Sequence, residues 1–130
     1  MVKHITSEKE LVKIYKFLDK VDNTNLPKLK SFIKSTLYAD VYGLYINKKL
    51  IGALYMQEEE THISLSNIYI IESERYKKYI FELYRQALYY KRNHNNKRVF
   101  ALIYNNLGEY GKMVKHIEDD LYEIIFPEED

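Results

Sequence analysis

The stretch His62–Tyr104, HISLSNIYIIESERYKKYIFELYRQALYYKRNHNNKRVFALIY, decides the fold. It opens on an apolar strand, HISLSNIYII, and passes a short polar break, ESE. A helix, RYKKYIFELYRQALYYKRN, follows, and then a second apolar strand, RVFALIY. Strand, helix and strand in one run is the pattern of a βαβ unit. Such a unit sets two parallel strands in one sheet with the helix across a face. The end of the first strand and the start of the helix then form a ready site for an anion, because the helix dipole and its first N–H groups point there. Chemistry is therefore expected between Ile70 and Ile80.

The strand from His62 carries an irregularity. Ile63 and Leu65 occupy odd positions, whereas Ile68 and Ile70 occupy even ones. Strict alternation cannot place both pairs on one face. One extra residue near Ser66 or Asn67, a β-bulge, restores a common face and bends the strand. The rival reading is a strand buried on both faces, which needs no alternation. The bulge is preferred.

Upstream, Val2 to Ile5 reads as a short strand. Ser7 with Glu10 has the form of a capping box. The helix behind it carries Leu11, Ile14, Tyr15 and Leu18 on one face. Asp22 to Asn25 breaks that helix, and Pro27 opens a second with Leu29, Phe32, Ile33 and Leu37 on its apolar side. From Val41 the period becomes two. VYGLYIN and LIGALYMQ form a hairpin with a tight turn at Asn47. Gly43 and Gly52 lie inside these strands, where glycine marks a bend or a close approach. Glu58, Glu59 and Glu60 read as a solvated turn.

Downstream, Ser73 is the expected N-cap of the central helix. Its apolar stripe is Tyr76, Tyr79, Ile80, Leu83, Ala87 and Leu88. Asn93 to Asn96 ends it. After RVFALIY and the loop NNLGEYG, the residues Met113, Val114 and Ile117 predict a short helix. LYEIIF is the last strand, stopped by Pro127 and an acidic tail.

At 130 residues, and with neither repeats nor low-complexity linkers, the chain reads as one domain over residues 1–130. A net charge of +1 argues against a strong general affinity for nucleic acid. A narrower possibility is the face RYKKY and YYKRNHNNKR, where cations meet phosphates and tyrosines stack on bases. The acidic tail and balanced charge count against it. With no cysteine, disulfides, thiolate metal sites and cysteine nucleophiles are excluded. The four histidines lack the close spacing of a helical metal site, so no metal is expected. No segment approaches the length of a membrane span, and MVKHITSEKE lacks a signal peptide's apolar core, so a cytoplasmic location is expected. The excess of Lys, Ile, Asn and Tyr fits a low-GC genome, of a bacterium or one of its viruses. That bears on origin only.

In order, the elements are a strand, two helices, a three-strand meander, then helix, strand, helix and strand. With the parity slip in the fourth strand, this order resembles the GNAT acyltransferases, the acyl-CoA-dependent N-acetyltransferases. Gly52 matches a glycine that such proteins often carry in the third strand. The resemblance implies a three-layer α/β/α domain, α/β (α+β) in class, with a mixed, mostly antiparallel sheet and a central βαβ unit. It implies acetyl-CoA as cofactor, held by main-chain groups of Ile70 and Ile71. The span Arg75, Tyr76, Lys77, Lys78, Tyr79 and Ile80 would cradle the pyrophosphate. Asn105 or Asn106 falls where the family often has an Asn after the fifth strand.

The family pattern at the helix entry is Arg or Gln, two residues, Gly, one residue, then Gly or Ala. Arg75 matches it; Lys78 and Ile80 stand where the small residues belong. Glycine there lets backbone N–H groups approach the pyrophosphate closely. Lys77 and Lys78 could instead supply compensating charge. The family's general acid, a Tyr seven residues after the Asn, is out of register, and Tyr110 is the nearby substitute. Glu72 is the best-placed carboxylate for a general base acting through water.

Two functional readings stay open. One is a divergent acyl-CoA-dependent N-acetyltransferase acting on a small-molecule or protein amine. The other is a fold descendant without catalysis that binds a protein partner or its own copies, in a host cytoplasm or a phage virion.

Overall fold

The computed structural model describes residues 1–21, 26–74, 79–103 and 114–126. Its strands are β1 (Val2–Ile5), β2 (Asp40–Ile46), β3 (Lys49–Glu58), β4 (His62–Ile70), β5 (Arg98–Leu102), β6 (Val114–Glu118) and β7 (Leu121–Ile124). Its helices are α1 (Glu8–Val21), α2 (Leu29–Ser35) and α3 (Ile80–Arg92). The described strands form one sheet of order β1-β2-β3-β4-β5-β7-β6. Every neighbouring pair is antiparallel except β4 and β5, which are parallel. The expected βαβ unit is therefore β4–α3–β5.

Side-chain alternation divides the core between two faces. Val41, Ala53 and Tyr69 meet Leu11, Ile14 and Leu18 of α1 and Phe32 of α2. Leu44, Leu54, Met56, Ile63 and Val99 meet Ile80, Leu83, Tyr84, Ala87 and Tyr90 of α3. The sheet is thus sandwiched between helical layers, as the three-layer reading requires. Burying each Leu, Ile or Phe fully contributes about 1.5–3 kcal/mol, so these two stripes hold the helices in place.

Local chemistry sets the joints. The Glu10 N–H donates to Ser7 Oγ at 3.2 Å, which caps α1 as its sequence predicts. The Tyr15 hydroxyl donates to the Pro27 carbonyl at 2.8 Å and ties α1 to the start of α2. Asn47 and Lys48 both take positive φ, 49° and 65°, the left-handed pair that twists a two-residue hairpin correctly. The acidic turn is anchored as well as solvated. Lys97 Nζ lies 3.0 Å from a Glu58 carboxylate oxygen and donates to the Glu59 carbonyl at 2.9 Å.

Four expectations are corrected. Leu37 lies beyond the end of α2 and is 75% exposed, because the helix closes when Thr36 and Leu37 donate to Ile33 and Lys34. Ser73 does not cap the central helix. It sits in a 3₁₀ turn, Glu72–Glu74, closed by the Glu74 N–H on the Ile71 carbonyl at 2.9 Å. α3 then begins at Ile80, which sets the stripe to Ile80, Leu83, Tyr84, Ala87 and Tyr90 and leaves Leu88 only half-buried. Val114–Glu118 is not helical but strand β6, paired with β7 across a turn where Asp119 has φ 45°. The β6 register slips between His116 and Glu118, so Ile117 is an extra residue. That bulge breaks the period of two and makes the spacing of Val114 and Ile117 look helical.

Glu123 of β7 is almost buried and receives Arg98 of β5 through two bonds, 2.8 and 2.7 Å. The hydrogen bond from Arg98, joined by its charge, holds the Glu123 carboxyl below its ordinary value of 4.5. A group with a depressed folded pKa binds protons less readily folded than unfolded. Its stabilisation is present above the ordinary carboxylate value and is lost as pH falls through the lower folded one. Glu123→Gln is therefore expected to flatten the acid limb of the stability curve below pH of about 4.5, read as thermal midpoints against wild type. An unchanged acid limb would remove this pair from the account.

Candidate functional site

The centre of the sheet is where the strands part. Ala53 of β3 faces Tyr69 of β4 and Tyr55 faces Ser66, so β4 spends one residue more than β3 across this step. The extra residue lies at Asn67 or Ile68, so the bulge expected near Ser66 or Asn67 is present. Its consequence is visible in burial. Ile63, Leu65, Ile68 and Ile70 all join the α3-side core. Tyr69 turns to the other face, edge-on to Phe17 of α1 with ring centroids 5.8 Å apart.

The bulge also ends the parallel ladder. β4 pairs with β5 from His62↔Arg98 to Leu65↔Ala101. Beyond Leu65, the described pairing of β4 continues on its β3 side, through Ile70↔Gly52. β5 meanwhile follows β7, through Leu102↔Leu121 and the Ile103 N–H on the Asp120 carbonyl at 2.9 Å. The sheet splays between β4 and β5 towards their C-terminal ends. That is the end of a parallel pair where α/β proteins place ligands.

Gly52 is what lets β3 and β4 stay close beside the bulge. A Cβ there would lie 2.6 Å from the Tyr69 carbonyl oxygen, and 3.4 Å from both Ile70 Cγ1 and Leu44 Cβ. The glycine singled out in the sequence marks a close backbone approach.

Of the residues implicated in cofactor binding, Ile70, Ile71, Tyr79 and Ile80 are described. Ile70 is fully buried in the α3-side core. The Ile71 N–H is committed to the Ile51 carbonyl at 2.8 Å, and its carbonyl accepts from Glu74. A carbonyl can accept twice, so only that end of the Ile71 peptide is open to a ligand. Ile80 is fully buried against the sheet. Its side chain therefore points into the core and does not fill the approach to the first turn of α3. Tyr79 is half-buried and stands immediately before α3. Glu72 lies in the 3₁₀ turn after β4; its side chain, with Arg75, Tyr76, Lys77, Lys78, Asn105 and Tyr110, lies outside the described residues.

Sequence reading missed a polar cluster at the opposite end of α3. His4 Nε2 lies 3.0 Å from Asp40, and the His4 ring stacks on Tyr42. Burial, reinforced by Asp40, pushes the phenols of Tyr42 and Tyr90 up. Tyr90 also stacks on His94 at 3.8 Å between centroids. Both tyrosines stay protonated; the Tyr90 hydroxyl donates to Asp40 and the Tyr42 oxygen accepts from Gln86, which stitches α3 to β2. No periodic signal marks such a cluster, because its members come from β1, β2 and the end of α3, far apart in the chain. Among the described residues, no three His, Asp or Glu side chains are grouped to hold a metal ion, and no helix is long and apolar enough to cross a membrane.

The sequence matches no family model and no curated protein. Solved structures do match. The PaiA N-acetyltransferase of Thermoplasma acidophilum, solved with coenzyme A, aligns with a TM-score of 0.70 at 11% identity, covering 97% of this chain and 99% of its own. A GNAT family acetyltransferase of Brucella melitensis, solved with acetyl-CoA, gives 0.68 at 11% identity, covering 97% and 87%. A probable acetyltransferase of Staphylococcus epidermidis gives 0.71 at 9% identity, covering 95% and 94%. At such identities the likeness is one of backbone, and it extends over nearly the whole of each chain. With the bulged fourth strand, the splay and the β4–α3–β5 crossover, this chain has the fold of the GNAT N-acetyltransferases.

Proposed function

We propose that the protein is a divergent acyl-CoA-dependent N-acetyltransferase, with the acyl-CoA seated in the splay between β4 and β5. The observation that carries this reading is the bulge at Asn67–Ile68, which ends the β4–β5 ladder after Leu65. Further support comes from the Gly52–Tyr69 approach and from Ile80, whose side chain is buried in the core rather than turned towards the helix entry. Structures of the same fold were solved with coenzyme A and with acetyl-CoA.

In this reading the main chain at Ile70 and Ile71 aligns the pantetheine arm. Arg75, Tyr76, Lys77, Lys78, Tyr79 and Ile80 hold the pyrophosphate, with Lys77 and Lys78 adding charge where the family has small residues. Asn105, which follows β5 in the sequence, is the Asn that the resemblance implies for the same site. Acetyl-CoA, when bound, supplies a thioester carbonyl for direct attack by an amine. Glu72 accepts the amine proton through a water, and Tyr110 donates a proton to the departing sulfur. The C–N bond forms as the C–S bond breaks, and no covalent enzyme intermediate is needed.

Calorimetric titration with acetyl-CoA tests the proposal, with Lys78→Glu as the paired variant. Micromolar binding that charge reversal weakens by at least about tenfold, or about 1.4 kcal/mol, is the expected result. No heat and no thermal shift at millimolar acetyl-CoA would overturn it, and the fold would then be a scaffold for a protein partner.

A further inference from the structure

A cavity of about 730 Å³ opens at the far side of the β2–β3 hairpin from the splay. That volume is typical of a small-molecule site. It lies at the β1–β2 edge of the sheet, with β3 standing between it and β4. The start of α1, the hairpin turn and Tyr79 line it.

Its floor and its rim differ in chemistry. Tyr45, Ile46 and Leu50 give an apolar floor. Lys3, Lys13 and Lys48 line it alongside a single carboxylate, Glu10. Among these side chains, three lysine ammonium groups against one carboxylate leave two positive charges in excess. Glu10 is already engaged, with Lys3 Nζ 2.6 Å away. Lys13 and Lys48 are exposed at the mouth, and Lys48 is held there by the left-handed hairpin turn.

The floor depends on a glycine. A Cβ at Gly43 would lie 2.8 Å from Tyr45 Cε2 and 3.2 Å from Ile14 and Leu50 methyl carbons. Gly43 thus leaves room for the Tyr45 ring, which lines the cavity, to lie back along its own strand. Burial, and behind it the charge of Glu10, pushes the Tyr45 phenol up, so it stays a hydrogen-bond donor at neutral pH.

We propose that this cavity binds a small amphipathic anion: a phosphate monoester or carboxylate on an aromatic body. The ring lies on Tyr45 and Leu50, and the anionic head meets Lys13 and Lys48. Tyr79 is common to this cavity and to the span proposed for the pyrophosphate, but Lys13, Tyr45, Lys48 and Leu50 belong to the cavity alone, so binding there needs no acyl-CoA.

Titration of the full chain with phenyl phosphate and, separately, with benzoate, followed by amide NMR shifts, tests it. The expected result is saturable binding of one or both, with the largest shifts at Lys13, Tyr45, Lys48 and Leu50. The comparison of the two probes decides between a phosphate and a carboxylate head. Inorganic phosphate is expected to bind at least about tenfold more weakly than phenyl phosphate, since it cannot use the floor. The double variant Lys13→Glu, Lys48→Glu alters exposed side chains only, and it should weaken the bound probe at least about tenfold with the fold retained. The bound probe should also survive saturating acetyl-CoA. The proposal is overturned by any of four results: no saturable binding of either probe, unchanged affinity in the double variant, inorganic phosphate binding as tightly, or displacement by acetyl-CoA.

Discussion

Deletion of Asn67 is expected to leave the protein folded while removing the acetyl-CoA affinity that the proposed function requires. The register explains why the two effects separate. Ala53↔Tyr69 and Tyr55↔Ser66 flank the bulge. With one residue removed between Ser66 and Tyr69, Leu54 faces Ile68 and the β3–β4 ladder runs without interruption through both flanking pairs. Ile63, Leu65, Ile68 and Ile70 then fall on one face by simple alternation, so none of these buried side chains leaves the α3-side core. Stability should change by no more than about 1 kcal/mol. What disappears is the bend that ends the β4–β5 ladder at Leu65↔Ala101. A straight β4 can continue pairing beside β5 and close the splay. The affinity measured by calorimetry should fall by at least about a hundredfold, or about 2.7 kcal/mol. A deletion variant that keeps wild-type affinity would show that the bulge is not what opens the site.

Gly52→Val should be the most destabilising single substitution near the site. The new Cβ would meet the Tyr69 carbonyl oxygen at 2.6 Å, and that oxygen belongs to a backbone fixed by strand pairing. It cannot yield as a side-chain tip would. Replacing glycine also removes freedom from the unfolded chain, which favours folding by about 0.4–1 kcal/mol. Overpacking costs about 1–3 kcal/mol even where a core can adjust, so the clash wins. Alanine should already show the loss, and valine should exceed it, because its methyl groups also press on Ile70 and Leu44, each 3.4 Å from the Cβ. Urea unfolding midpoints measure both. Gly43→Ala is the informative contrast. Its tightest contact is the edge of the Tyr45 ring, which can swing away. That variant should lose less stability than Gly52→Ala but should lose the floor of the lysine-rimmed cavity. Equal costs at the two glycines would contradict the distinction between backbone and side-chain contact.

Much of the fold was legible in the sequence. The parity slip between Leu65 and Ile68 gave away the bulge, since two apolar pairs of opposite parity need an extra residue to share one core. The glycines inside β2 and β3 announced close approaches, and Ser7 with Glu10 announced the start of α1. Each of these signals is local: a period, a cap, or a residue without a Cβ. The failures have a common cause. Val114 and Ile117 looked helical because a bulge at Ile117 hides the period of two, and only pairing with β7 shows the strand. Ser73 looked like a cap because a short polar residue before an apolar run fits a 3₁₀ turn as well as a helix start.

By itself, then, the sequence determined the βαβ unit, the hairpin at Asn47 and the irregular fourth strand, because backbone sterics and side-chain periodicity act within a few residues. Only the tertiary structure decided which strands part and where. It showed that Ile80 turns into the core rather than towards a ligand, and it gathered Lys3, Lys13, Tyr45, Lys48 and Tyr79 around one cavity. Those outcomes depend on distances between residues far apart in the chain. Such distances are set by how sheet and helices pack, and no local pattern encodes them.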